Sequence, residues 1–109
     1  MDNSIHETTL KFANQVKLLY NPLAVYLYGS HANGTATDAS DIDIAVVFSP
    51  MEVHERMDIL SGLLSLAAKI DASIEPNVVI DDGKCSKYSL LAQILETGIR
   101  IDAHNKEDI

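Results

Sequence analysis

The feature that most constrains this chain is a run of five apolar residues, 44–48, that follows directly on the triplet Asp41-Ile42-Asp43. A continuous apolar run of this length is typical of an interior strand with both faces covered. Residues i and i+2 of a strand point to the same face, so Asp41 and Asp43 project together while Ile42 enters the core. Residues 41–48 therefore predict a central strand with a pair of carboxylates at its entrance.

A helix and a strand are predicted before this central strand. The helix begins at Ser4, which with Glu7 forms a capping box, and carries apolar residues at helical spacing. It ends at Asn21-Pro22, because a residue that precedes proline avoids the helical region. Residues 23–28 are rich in strand formers and stop at Gly29, so they predict the first strand.

Three further elements follow the central strand. Ser49 is predicted to cap a helix, with Pro50 at its first position and Glu52 completing a capping box. Helical spacing predicts the apolar stripe of this helix: Val53, Met57, Leu60, Leu64 and Ala67. A third strand lies within residues 70–80, where Pro76 breaks it or marks it as an edge strand. A last helix covers residues 86–97. With a short helical turn after the first strand, at Gly29-Ser30, the order α-β-(short α)-β-α-β-α predicts a small α/β sandwich.

Length and charge limit the classes of function. The 109 residues predict one domain, 1–109, with 102–109 as a frayed tail. Sixteen acidic against eight basic residues give a net charge of −8, which disfavours nucleic acid as a direct ligand and favours cations or a basic partner. The chain start has no signal-peptide pattern, the apolar stretches are too short for a bilayer, and the single cysteine, Cys85, fits a reducing cytoplasm.

A second polar feature, Gly29-Ser30, lies where the first strand ends. Glycine lets a phosphate approach the backbone closely, and serine donates from its hydroxyl and its N–H. Two like charges on one strand repel unless a cation lies between them, and Mg²⁺ prefers a few carboxylates together with phosphate oxygens. Each feature alone is an ordinary turn and its cap. Together with Asp41 and Asp43, Gly29-Ser30 predicts a site for a metal-bound triphosphate.

These residues match the signature of a known family. Gly29-Ser30-His31-Ala32-Asn33-Gly34, followed by Ser40-Asp41-Ile42-Asp43-Ile44-Ala45-Val46, resembles the minimal nucleotidyltransferases of the polymerase-beta-like superfamily. Residues 70–76 and 94–101 are similar to one branch of that family. The resemblance implies an α/β fold with a mixed sheet of three or more strands packed with helices. At Asn33 the family often has arginine, so a charged contact is missing, with consequences for rate or nucleotide affinity more than for fold.

The resemblance also implies a third carboxylate on a neighbouring strand. Asp71 and Glu75 are four residues apart, so in one regular strand both would face the side of the aspartate pair. Asp71 matches the family position and is the expected ligand, with Glu75 in reserve. Two Mg²⁺ ions about 3.5–4 Å apart would then be held by Asp41, Asp43 and Asp71. Gly29 and Ser30 would bind the triphosphate of ATP.

Three residues near this motif are not assigned to the site. His31 follows Ser30 and is expected to face solvent, although a contact with phosphate or acceptor stays open. Tyr28 and Tyr26 face the same side of the first strand and are expected in the core or at its rim.

The implied function is an enzyme that transfers AMP from ATP to an acceptor hydroxyl. A chain this short has little room for an acceptor pocket, so the acceptor is expected to be a macromolecule. The resemblance implies a HEPN-type ribonuclease toxin, adenylylated on tyrosine, with this chain as its antitoxin. Two alternatives stay open: a weak or inactive module that neutralises its partner by occlusion, and a stand-alone transferase acting on RNA or a small molecule as a homodimer.

Overall fold

The computed structural model of the protein describes residues 3–84 and 89–102. They form helices α1 (Asn3–Tyr20), α2 (Ser30–Asn33), α3 (Val53–Ile70) and α4 (Leu90–Thr97). Strands β1 (Ala24–Tyr28), β2 (Ile42–Phe48), β3 (Ile74–Ile80) and β4 (Ile99–Arg100) make one sheet in the order β3-β2-β1-β4. The predicted α/β fold with a mixed sheet is confirmed, because β2 pairs in parallel with β3 and antiparallel with β1.

The central strand is β2, as its apolar run predicts. Alternate residues of β2 enter two cores on opposite faces of the sheet. On one face they pack under α1 and α3, through residues such as Phe12 and Leu63. On the other face Ala45 and Val47 pack with Leu91 and Ile94 of α4. The α4 face carries less apolar cover, and the site residues lie on it.

The edge position predicted for the third strand is confirmed. β3 forms one edge of the sheet and contains Pro76, opposite Ile44 of β2. Proline has no N–H to donate to a ladder, so it is tolerated at an edge. The guanidinium of Arg56 donates to the carbonyl of Val78 on the same strand (3.1 Å).

The predicted starts of two helices are wrong. α1 begins at Asn3, so Ser4 lies inside its first turn and does not precede it. α3 begins at Val53, after the extended residue Glu52, which makes no side-chain cap. Proline favours extended backbone in the residue before it, so Ser49-Pro50 continues the strand direction past Phe48 and does not open a helix.

The predicted stripe of α3 is also largely wrong. Val53, Met57 and Leu64 are 73%, 63% and 50% exposed. The face that packs inward is rotated from the predicted one: it carries Leu63 and Ala67, with Ile59, Leu60, Leu66 and Ile70 beside them. α3 has apolar residues on two faces, so spacing alone does not identify the buried one.

The predicted frayed tail is wrong at its first residue. Asp102 is 7% exposed, and its carboxylate accepts hydrogen bonds from the backbone N–H of Val25 (3.0 Å) and from Arg100 (2.8 Å). The rest of that tail, residues 103–109, lies outside the described residues, as do Cys85 and residues 86–88. The last helix begins at Leu90, after the extended residue Ser89 that caps it, so the predicted helix over 86–97 is wrong at Ser89. Among the helices of the described residues, none is long and apolar enough to span a membrane.

Candidate active site

Two carboxylates face each other across the parallel strands β2 and β3. The register pairs Asp43 with Glu75, and on the opposite side of β2 it pairs Asp43 with Tyr28 of β1. Asp41 lies two residues before Asp43, so strand alternation turns it to the same face. The structure therefore brings together Asp41, Asp43 and Glu75.

The mutual repulsion of these groups changes their pKa values. The pKa of Glu75 is raised, first by the charge of Asp41 and then by desolvation and the charge of Asp43. The pKa of Asp43 is raised by burial first and by Asp41 second, while Glu75 and His31 act in the opposite direction. A cation bound among these three carboxylates would reduce their mutual repulsion.

Asp71 does not belong to this group. The chain is still helical at Ile70, and Asp71 is the residue that ends α3, three residues before β3 begins. Its carboxylate accepts the backbone N–H of Ser73 (2.8 Å) and so closes the turn between α3 and β3. The expectation that Asp71 and Glu75 share one strand is wrong. Glu75, the reserve candidate for the third carboxylate, is the residue opposite Asp43.

Gly29 lies directly against the carboxylate of Asp43. A Cβ atom built on Gly29 would overlap the Oδ2 atom of Asp43. Its backbone angles, φ 75° and ψ −150°, fall in a region that only glycine adopts readily. Both the close approach and the conformation therefore require glycine at this position, and Ser30 begins α2 immediately beside the carboxylates.

Ser30 also lines a cleft of about 380 Å³. It lies between α2, the loop that follows, the N-terminal turn of α1 and the turn between α3 and β3. Ile42, the residue between the two aspartates, forms part of its wall, while Asp41, Asp43 and Glu75 do not line it. The cleft is thus adjacent to the three carboxylates, because Ser30 lines it and directly follows Gly29, which contacts Asp43.

His31 lines this cleft, and the expectation that it faces solvent is wrong. The residue is half-buried, and its Nε2 atom is buried without a hydrogen-bond partner among the described residues. The position of His31 directly after Ser30 indicated that it lies near the site. The burial of a single ring atom, however, cannot be predicted from the sequence.

Tyr28 and Asn77 make a hydrogen bond that spans the central strand. They belong to β1 and β3, the two strands that flank β2, and the amide of Asn77 donates to the hydroxyl of Tyr28 (2.7 Å). In register, Asn77 lies opposite Ala45 of β2 and Tyr28 lies opposite Asp43. Tyr28 packs at the rim of the α4-side core, as predicted, and its pKa is raised mainly by burial.

The donor set fits a magnesium ion whose coordination is completed by a substrate. Within residues 3–84 and 89–102, no three acidic, histidine or cysteine side chains already enclose a metal position. Mg²⁺ is usually bound by one or two carboxylates together with water and phosphate oxygens, so an open set of carboxylates suits it better than a closed cage. Asp41, Asp43 and Glu75 supply hard oxygen ligands of this kind.

The chain matches the family model of polymerase beta nucleotidyltransferases over residues 8–107. It belongs to that family. A search of curated protein sequences gives no significant match. The chain is therefore a nucleotidyltransferase domain with the fold that the sequence predicts.

Solved structures with a similar fold agree with this assignment. A candidate nucleotidyltransferase from Sulfolobus solfataricus is 25% identical, with a TM-score of 0.62 over 89% of this chain and 78% of that one. A toxin–antitoxin complex with AMP-PNP contains a chain 23% identical, with a TM-score of 0.55 over 94% of this chain and 76% of that one. A mutant of the MntA–HpeT toxin–antitoxin complex is 20% identical, with a TM-score of 0.53 and the same coverage.

Asn33 stands where the family often has arginine, and its side chain serves the turn after α2. Its carbonyl oxygen accepts the backbone N–H of Thr35 (3.1 Å) and the hydroxyl of Thr35 (2.6 Å). Asn33 is exposed, and it carries no charge that could balance a phosphate.

Proposed function

We propose that this protein is a magnesium-dependent enzyme that transfers AMP from ATP to a hydroxyl group of a partner protein. The observation that supports this most strongly is the convergence of Asp41, Asp43 and Glu75 beside the Gly29-Ser30 turn. The carboxylates supply metal ligands and Ser30 supplies phosphate donors, so one edge of the sheet can bind both parts of a metal–triphosphate. ATP and Mg²⁺ are abundant in the cytoplasm, where we expect the reaction.

Each residue has a distinct task in the proposed reaction. Asp41 and Asp43 would hold Mg²⁺, as two ions, with Glu75 as the third ligand in place of Asp71. Bound Mg²⁺ supplies charge neutralisation of the triphosphate and acidification of the acceptor hydroxyl. Gly29 and Ser30 orient the triphosphate so that the acceptor oxygen attacks the α-phosphorus in line with the departing pyrophosphate. Glu75, on the strand farther from Gly29, would act as that third ligand or, alternatively, accept the proton of the acceptor hydroxyl.

The proposed acceptor is a toxin of the HEPN type, with this chain as the antitoxin. Two of the similar solved structures are toxin–antitoxin complexes, one of them with AMP-PNP. The net charge of −8 suits a partner with a basic surface, as an RNA-cleaving protein would have. Glu75 is exposed and Asp43 is half-buried, so a macromolecular acceptor could reach this pair of carboxylates.

The test is incubation of the chain with radiolabelled ATP, Mg²⁺ and the product of the adjacent gene. Asp43→Asn and Glu75→Gln are expected to reduce labelling of that product by about 100-fold or more. Asp71→Asn is the matched control, because asparagine can still accept the N–H of Ser73, and it should leave labelling within about twofold. Full labelling by Asp43→Asn would sink the proposal, and labelling of RNA instead would favour the stand-alone transferase.

A second candidate function is neutralisation of the partner by occlusion alone. It is favoured by Asn33, which is uncharged and bonded to Thr35. In that case, Asp41→Asn/Asp43→Asn would still protect cells from the partner, and no ATP would be consumed.

A further inference from the structure

Tyr28 and Asn77 place a hydroxyl group over the central strand, next to the carboxylates of the candidate site. The two residues belong to β1 and β3, which lie about 9–10 Å apart because β2 separates them. The hydrogen bond of 2.7 Å between their side chains must therefore pass over β2. In register, Tyr28 lies opposite Asp43 of β2. Asn77 lies opposite the next residue of β2 on the same face, Ala45, so the hydrogen bond crosses β2 just beyond the aspartate.

The direction of this hydrogen bond leaves the proton of the tyrosine available to a ligand. The amide of Asn77 is the donor and the oxygen of Tyr28 is the acceptor. A phenol also has a proton of its own to donate. Within residues 3–84 and 89–102, this hydroxyl makes no second hydrogen bond, although its ring is half-buried against the α4-side core. The amide thus fixes the oxygen, and the proton is left for a group that binds beside Asp43.

The geometry of in-line transfer determines which substrate group lies beside Asp43. In the proposed function, the triphosphate binds at Gly29-Ser30, directly after β1. An acceptor oxygen that attacks in line with the departing pyrophosphate approaches from the opposite side, which is that of Glu75 on β3. The α-phosphate then lies over β2, and the axis of the reaction runs across the strands. The hydroxyl of Tyr28 lies beside that axis, displaced along β2 from Asp43, where a non-bridging oxygen of the α-phosphate would project.

We propose that the Tyr28 hydroxyl donates a hydrogen bond to a non-bridging oxygen of the α-phosphate, and that Asn77 holds the hydroxyl in place for it. This inference rests on the proposed function and makes Tyr28 a catalytic residue and Asn77 a positioning residue. In the transfer, a bond forms between the acceptor oxygen and the α-phosphorus, and the bond from the α-phosphorus to the pyrophosphate oxygen breaks. The proton of the acceptor goes to Glu75 or to water, and Tyr28 keeps its own. Charge is spread over the equatorial oxygens in the transition state, and a donor fixed there in advance lowers the barrier more than it tightens ATP binding.

The test measures kcat and the KM for ATP in the labelling of the adjacent gene's product, with Mg²⁺ present. Tyr28→Phe keeps the ring and removes the hydroxyl, and it should lower kcat about 100-fold while the KM for ATP stays within about twofold. Asn77→Leu should lower kcat about tenfold, because the hydroxyl remains but is no longer held. Tyr26→Phe is the matched control, because Tyr26 lies on the same face of β1 but farther from the carboxylates, and it should leave both constants within about twofold.

A double variant distinguishes positioning from a general structural role. Asn77 acts through the hydroxyl, so adding Asn77→Leu to Tyr28→Phe should lower kcat no further. Thermal melts of each variant check that the fold is intact. Should Tyr28→Phe melt below the assay temperature, Asn77→Leu, which changes an exposed residue, tests the inference by its kcat alone.

Three results would overturn the inference. A kcat of folded Tyr28→Phe close to the wild-type value, whatever its KM, shows that the hydroxyl does not stabilise the transition state. Additive losses in the double variant show that Asn77 does not act through Tyr28. If the wild type labels no product, the proposed function fails together with the inference, whereas the first two results leave the proposed function standing.

Discussion

Both the fold and the candidate site require that residue 29 has no Cβ atom, and therefore that it is glycine. We expect Gly29→Ala to destabilise the protein by about 3 kcal/mol, from the strained backbone region and the overlap with Asp43. It should also abolish binding of Mg²⁺–AMP-PNP, because either Asp43 or the Gly29-Ser30 turn must move. Urea denaturation and calorimetry measure the two effects.

Gly34 provides the matched control for that prediction. Its φ is also positive, 84°, but a Cβ atom there would meet nothing within 4 Å. Gly34→Ala should therefore cost only about 1 kcal/mol of left-handed strain and should leave nucleotide binding intact. Equal effects of the two substitutions would contradict the role given to the contact between Gly29 and Asp43.

The repulsion at Glu75 leads to a prediction about thermal stability that does not depend on enzyme activity. Its pKa is raised in the folded protein, first by the charge of Asp41, so folding disfavours its ionised form. In the presence of EDTA, Glu75→Gln should therefore raise the melting temperature at pH 7. The advantage should disappear as the pH falls below the ordinary value of 4.5, because Glu75 is then protonated in both the folded and the unfolded state.

The control for this prediction is Glu7→Gln, on the exposed side of α1. It should change the free energy of unfolding by less than about 0.5 kcal/mol at either pH. A destabilising effect of Glu75→Gln at pH 7 without metal would show that Glu75 is not held in a repulsive group.

At the scale of elements, the sequence predicted the features that depend only on residues close together in the chain. The apolar run of β2 and its two aspartates form a strong local signal, and both the strand and its paired carboxylates follow from alternation. The position of the third carboxylate does not, because it depends on where α3 ends. α3 continues to Ile70, so Asp71 becomes its last cap and the strand begins only at Ile74. Helix ends of this kind are set by tertiary packing.

Contacts between elements carry information that no local pattern contains. The Tyr28–Asn77 hydrogen bond and the contact of Gly29 with Asp43 both join residues that are distant in sequence. The sequence did place Tyr28 at the core rim, since alternation along β1 was sufficient for that. Its partner on β3 required the strand order.

The packing of α1 on α3 depends on a small residue. A Cβ atom on Gly62 would overlap the hydroxyl of Tyr20, at the end of α1. Gly62→Ala alone should change stability by less than about 1 kcal/mol, because the helix propensity of alanine offsets displacement of the tyrosine. In the Tyr20→Phe background the hydroxyl is absent, and the same Gly62→Ala substitution should stabilise the protein by up to about 1 kcal/mol.

Chemical denaturation of the four proteins in this double-mutant cycle measures the coupling. An identical effect of Gly62→Ala in both backgrounds would show that the Tyr20 hydroxyl does not limit the approach of the two helices.

At the scale of the whole molecule, Asp102 ties the end of the described chain to the sheet and to α1. Its carboxylate accepts hydrogen bonds from Val25 and Arg100, while its carbonyl accepts one from Lys17 (2.9 Å). Burial raises the pKa of Asp102, but the hydrogen bonds from Arg100 and Val25 outweigh it, so the pKa falls below its ordinary value of 3.8. The ionised form is therefore the one that stabilises the fold.

Asp102→Ala is expected to reduce the free energy of unfolding by about 2–3 kcal/mol at pH 7, because it leaves the buried N–H of Val25 and the Arg100 guanidinium without their acceptor. The stabilisation is complete above pH 3.8 and is lost as the pH falls through the lowered pKa, so the wild-type advantage should shrink in strong acid. This dependence is opposite in sign to that of Glu75.

Denaturation curves between pH 2.5 and 7 would distinguish the two groups, with Asp58→Ala on the exposed side of α3 as control. An Asp102→Ala deficit that is independent of pH would mean that packing, and not the ionised carboxylate, anchors this end of the chain.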